Sequence, residues 1–140
     1  MCDSAPEDRW KILQSYSRYE QAVSDRDYRM MASIFADDAK MENRLGKETG
    51  REAIEKKFRS RFDHAPATKI LSCNHLIDIK GDRARSSVDY LVLEVDDESA
   101  SGLTVRQMGR YFDDWRREDD TWLIQNRQAT EMNPKLLPAG

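Results

Sequence analysis

Histidine and cysteine are scarce in this chain, two of each in 140 residues, alongside four prolines and six glycines. Two cysteines cannot build the disulfide framework of a small secreted domain. Cys2 stands near the N-terminus and Cys73 in a strand-like run, so free thiols and a cytoplasmic protein are expected. With His64 and His75 as the only imidazoles, no His-x-His pair occurs, and neither does a Cys-x-x-Cys pair. A phosphate-cradling glycine loop is also missing, so neither metal nor cofactor is predicted. No apolar run approaches the ~20 residues that span a bilayer, and Met1 to Asp8 is too polar for a signal peptide. An excess of basic charge is lacking as well: 26 acids against 23 bases give a net charge of -3. That balance leaves no basic stripe to neutralise phosphates and excludes nucleic acid as the expected partner. The pair Lys56-Lys57, beside Glu52 and Glu55, reads as a solvated helix face.

The most informative segment present is Gly109 to Arg127. Its two arms, rich in aromatic and aliphatic residues, flank a charged tip from Arg116 to Thr121 and predict a long β-hairpin. Alternation puts Tyr111, Asp113 and Trp115 on one face, Phe112 on the other, and Trp122 with Ile124. Such a hairpin must bury a face, and the covering surface must come from the first half of the chain. There, Ile12, Tyr16, Tyr19 and Val23 fall at helical spacing. They predict a helix over about 7–24, opened by the capping-box pattern Ser4-Ala-Pro-Glu7. A short helix over about 27–36 and a strand over 39–44 follow. Thr49-Gly-Arg-Glu52 is a second capping box, opening a helix to about Phe62. Beyond Pro66 the pattern is strand-like: 68–79, a turn at Lys80-Gly-Asp82, 83–95, a polar loop, then the hairpin over 103–116 and 121–130. At 140 residues this is one domain, with flexible tails expected over 1–6 and 133–140. Helices followed by hairpin-linked strands predict an α+β fold with a curved, mainly antiparallel sheet wrapped around three N-terminal helices. Around Tyr90 to Val95 apolar residues point both ways. Helices are expected on one face there and a second subunit, in a homodimer, on the outer one.

Six pieces of the chain, in order, carry a resemblance: Arg18-Tyr19 with Asp27-Tyr28, Ile34 to Ala39, Gly50 to Ile54, Gly81 to Ala84, Gly109 to Asp113 and Trp122 to Arg127. Together they resemble the nuclear transport factor 2-like superfamily, in its SnoaL-like, scytalone dehydratase-like branch. The resemblance implies a cone-shaped, cystatin-like roll with a pocket between the inner sheet face and the first helix. It fixes no activity, because this fold hosts dehydratases, isomerases, cyclases and non-catalytic subunits. Dehydratase-like members pair a strand histidine as base with an aspartate late in the first helix. Here the corresponding positions hold Ile70 and Ser24, so the dyad is absent.

Several residues could take its place. Glu20, one turn before Ser24, is either a solvated helix glutamate or a carboxyl made an acid/base by an apolar cavity. Ser24 either caps the second helix or lies in the site. Tyr19 and Tyr90 could polarise a ligand oxygen or simply pack. Asn74 shares the parity of Ile70 and should face inward, while His75 should face outward unless a bulge intervenes. His64 follows a helix end, where a cation is favoured. Met41 is expected to shape the cavity with Ile70, and Arg127 to pair with Asp113 or bind an anion. Two functions follow. One is a cofactor-free enzyme doing proton-transfer chemistry (dehydration, isomerisation or cyclisation) on a hydrophobic oxygenated molecule, with Glu20, Tyr19 and Ser24 catalytic. The other is a non-catalytic ligand-binding or partner subunit, similar to the β subunit of a ring-hydroxylating oxygenase.

Overall fold

Ile12, Tyr16, Tyr19 and Val23 are all buried, on one face of helix α1 (Ala5–Asp25) in the computed structural model, which describes residues 5–132. Helix α2 (Tyr28–Ser33) follows, then strands β1 (Phe35–Asn43) and β2 (Gly46–Thr49) and helix α3 (Arg51–Phe62). Four long strands complete the chain: β3 (Thr68–Lys80), β4 (Arg83–Val95), β5 (Leu103–Glu118) and β6 (Thr121–Met132). They form one six-stranded sheet in the order β2-β1-β6-β5-β4-β3. Only the β1–β6 pairing is parallel. The fold is the α+β arrangement expected, a mainly antiparallel sheet packed on three N-terminal helices.

The inner face alternates as a half-covered sheet should. Ala84, Ser86, Val88, Tyr90 and Val92 of β4 are buried, while the residues between them reach the surface or its margin. They close one core with Ile54, Phe58 and Phe62 of α3 and with Trp115, Trp122 and Ile124 of the hairpin. The hairpin turns at Asp119 and Asp120, both with positive φ (47° and 65°). Two left-handed central residues match the twist of the flanking strands.

Several boundaries differ from the sequence reading. Helix α2 stops at Ser33, because β6 recruits the next residues: the Ile124 amide donates to the Ile34 carbonyl at 2.8 Å, and Phe35 pairs with Ile124. The cap of α2 is Asp27, whose carboxylate accepts from the Met30 amide, not Ser24. Helix α3 starts after Gly50 with no side-chain cap, so the box at Thr49 does not form. Strand β2 was not foreseen; the Asn43 side chain accepts from the Leu45 amide and folds it back on β1. Ala5 and Pro6, expected in a tail, open α1. Ser4 and the tail 133–140 lie outside the described residues.

Candidate functional site

A cavity of about 230 Å³ opens between α1, α3 and the inner sheet face. Tyr19, Met41, Phe58, Tyr90, Tyr111 and Arg127 line its depth, and Lys57, Arg61 and Gln107 belong to the same lining. It is smaller than the roughly 300–1,000 Å³ of a drug-sized pocket, which suits a compact ligand or one end of a longer one. Asn43, Leu45, Arg61, Gln107 and Ala129 are shared with a more polar cleft outside it.

Arg127 sets the electrostatics. It is 2 % exposed, and its Nε and Nη2 donate to the two carboxylate oxygens of Asp113 at 2.8 and 2.9 Å. Register places the two opposite each other on β5 and β6. Tyr16 donates to the same carboxylate at 2.5 Å, and Ser86 bridges the Tyr16 hydroxyl to the Trp115 indole N–H, both at 2.8 Å. A buried ion pair tied down this way adds little net stability, but losing one partner is costly. The guanidinium also stands 3.9 Å from the Tyr111 ring centroid and 5.3 Å from that of Tyr19.

Tyr111 in turn stacks on Tyr90, with centroids 4.2 Å apart and rings 10° from parallel. Gly109 makes the room. A Cβ there would lie 2.3 Å from the Thr130 carbonyl oxygen and 2.7 Å from the Tyr90 hydroxyl. Burial pushes the Tyr90 phenol up, against a downward pull from Arg61, and pushes Tyr111 up strongly. Both therefore keep their protons at neutral pH and act as hydrogen-bond donors or acceptors, not as bases.

Glu20 is half-buried in the seam between α1 and β3 and does not line the cavity. Burial raises its pKa, against hydrogen bonds from Ser72 and the charges of Arg127 and Lys69. Ser72 also pairs with His75, Oγ to Nε2 at 3.0 Å.

The strand parity expected for β3 fails at one residue. Cys73 pairs with Asp89 and Leu76 with Ser87, so β3 carries one extra residue there, and Asn74 has φ of 56°. This bulge inverts the faces beyond it. Asn74 is exposed and donates to Asp89 at 2.8 Å, so it does not face the cavity. His75 turns in against Tyr16, with ring centroids 5.3 Å apart, and burial lowers its pKa. Among the other expected site residues, Tyr19, Met41, Tyr90 and Arg127 come together at the cavity. Ile70 is buried on the same face without lining it. Ser24 is exposed and only leans on the Glu20 carbonyl at 3.5 Å, and His64 is exposed in the outer cleft. Tyr111, Phe58, Arg61 and Gln107 were missed. Tyr111 was readable from its parity with Asp113, but nothing local in the sequence joins Arg61 to Gln107. Among the described residues no group of three His, Cys, Asp or Glu is placed to hold a metal.

A family model described as a SnoaL-like domain matches residues 4–128. No curated protein matches the sequence. Among solved structures, a Mycobacterium tuberculosis protein of unknown function is similar, with 20% identity and a TM-score of 0.86. The match covers 97% of this chain and 80% of that one. A candidate scytalone dehydratase from Novosphingobium aromaticivorans shares 18% identity over 95% of this chain and 89% of its own, with a TM-score of 0.82. A Catenulispora acidiphila protein in complex with S-DNPA shares 20% identity over 88% and 92%, with a TM-score of 0.76. At these identities the likeness establishes the fold.

Proposed function

We infer the function from one premise: this chain belongs to the SnoaL-like domain family. The reading is that the cavity takes a small, hydrophobic, oxygenated molecule and that the protein moves a proton on it without a cofactor, in a dehydration, isomerisation or cyclisation. One observation carries it: three tyrosines and the buried guanidinium of Arg127 converge on walls made largely of Met41, Phe58 and Leu45. Hydrogen-bond donors fixed in a dry site stabilise oxyanion character that develops on a carbonyl or phenol oxygen, and they need no reorganisation to do so. Glu20 is the proton acceptor of this proposal, its pKa raised by burial against the opposing pull of Ser72, Arg127 and Lys69. It serves a ligand whose reacting carbon lies past Tyr19, on the Ser72 side.

A second reading is a non-catalytic ligand-binding or partner subunit. It is favoured by the lining itself, which among the described residues contains no carboxylate and no imidazole. Hydrogen–deuterium exchange separates the two. A panel of cyclic ketones and phenols is incubated with the protein in D2O and followed by NMR. The enzyme reading predicts catalysed exchange beside the carbonyl, lost in Glu20→Gln and weakened in Tyr90→Phe. Compounds that bind without any exchange would leave the binding reading standing.

The outer sheet face supports a homodimer as part of the proposal. Leu76 (72 % exposed) and Phe112 (46 %) lie outward on β3 and β5 and line a concavity of about 520 Å³, with Leu71 (41 %) further along β3. Apolar surface clustered this way marks an interaction site.

A further inference from the structure

The cavity's polar groups are arranged as donors, and this constrains what can be bound. Arg61 Nη2 donates to Gln107 Oε1 at 2.7 Å. A guanidinium has no acceptor, so the amide of Gln107 can face it only with its oxygen. The Gln107 NH₂ then points the other way, where it donates to the Tyr90 hydroxyl at 3.2 Å. With its oxygen accepting from Gln107, Tyr90 directs its own O–H proton elsewhere. Deeper in, Arg127 spends Nε and Nη2 on Asp113, and its Nη1 takes no part in that pair. Among the described residues, three cationic side chains, Lys57, Arg61 and Arg127, line the cavity and no anionic one does. Lys57 has only a long contact to Glu48, at 3.9 Å, and Arg61 pairs with no carboxylate among the described residues.

We propose that the cavity recognises an anionic oxygen group, a carboxylate or an ionised phenol or enol, on a compact aromatic or alicyclic ring. The group sits at the Tyr90 hydroxyl, in the field of Arg61 and Arg127, and the ring lies among Tyr19, Met41 and Phe58 of the lining, because Tyr90 and the Arg127 guanidinium already cover the two faces of Tyr111. Arg61 acts as a positioning residue: through Gln107 it fixes Tyr90 as a donor, and its charge attracts anions to the mouth. This rests on the reading that the cone interior is the ligand site, and it adds the ligand's charge and polarity.

The test compares naphthoate with naphthamide, matched in shape but one an anion and the other neutral, by calorimetric titration at neutral pH. Charge-assisted hydrogen bonds are about twice as strong as neutral ones. The carboxylate should bind roughly tenfold or more tightly than the amide in the native protein. Gln107→Glu is the decisive variant. A carboxylate at 107 accepts from both Arg61 and Tyr90, draws the Tyr90 proton away from the ligand and adds negative charge. Naphthoate should weaken by about tenfold or more, while naphthamide, which can turn its NH₂ toward Tyr90, keeps its affinity. Arg61→Gln should reduce the naphthoate preference and flatten its salt dependence. Arg61 is exposed and Gln107 half-buried, and thermal melts check that both variants fold. Equal binding of the two probes, or a preference unchanged by Gln107→Glu, would overturn the acceptor proposal and leave the cavity as the ligand site. If neither probe binds, the cavity reading fails and takes this proposal with it.

Discussion

Asp113→Asn is the sharpest perturbation of the buried cluster. The substitution keeps the side chain's shape but removes its charge, leaving the Arg127 guanidinium unpaired at 2 % exposure. It also replaces one of two acceptor oxygens with a donor, so in either amide orientation an N–H faces Arg127, and in one of them it also faces the Tyr16 hydroxyl, which lies 2.5 Å from Oδ2. Breaking a buried pair from one side costs about 3–5 kcal/mol, a large share of the about 5–15 kcal/mol that holds a domain. At about 3–5 °C per kcal/mol for a chain of this size, the melting temperature should fall by roughly 10–20 °C. Arg127→Met alone should also be costly, since it strands the carboxylate. The double variant should cost less than the sum of the singles by about 2 kcal/mol. Urea unfolding of the four proteins measures all three values. A loss below about 1 kcal/mol for Asp113→Asn, or additivity within about 0.5 kcal/mol, would refute the coupling described.

Other consequences follow from particular contacts. Gly109→Ala should cost about 1–3 kcal/mol and move Tyr90, which near-ultraviolet circular dichroism would register; an unchanged melt and spectrum would contradict the close approach. The raised pKa of Glu20 means that the unfolded chain ionises first as pH climbs. Its share of stability is present below the ordinary value of 4.5 and is lost as pH rises through the folded value. Melts across this range should flatten in Glu20→Gln. His75 has the opposite sign: its pKa is lowered, so stability is lost as pH falls below the ordinary value of 6.5, and His75→Gln should remove that slope. On the outer face, Phe112→Asp should convert a dimer to a monomer in light scattering without unfolding it. A native monomer at micromolar concentration would rule out the proposed dimer.

Much of the fold was legible because its signals are periodic. The α1 stripe, the Trp- and Tyr-rich hairpin and the turn at Gly81 each declare themselves within a few residues. The errors fell where a distant partner decides. Phe35 and Ala36 have a helical neighbourhood and become strand because β6 pairs with Phe35. Thr49 has a cap's chemistry, yet Gly50 takes the place. In the site, the family resemblance singled out Arg127 with Asp113 and the face of Tyr90 stayed open; strict alternation from Trp122 and Ile124 would turn Arg127 outward, and one extra residue in β6 before Asn126 turns it in. One inserted residue at Asn74 then exchanged the roles of Asn74 and His75, a difference that no composition or spacing encodes. The Arg61–Gln107–Tyr90 chain joins the end of a helix to two strands, and only the folded geometry brings it together.

Where a ligand binds is the decisive property of this protein. Titrating naphthoate into isotope-labelled protein, with tyrosine ring, Arg127 Nε–H and methyl signals followed by NMR, reads this directly. Saturable shifts at Tyr19, Tyr90, Tyr111 and Arg127, with Leu71 and Leu76 unmoved, are the predicted result. Shifts confined to the outer sheet around Leu76 and Phe112, with the inner tyrosines silent, would contradict it.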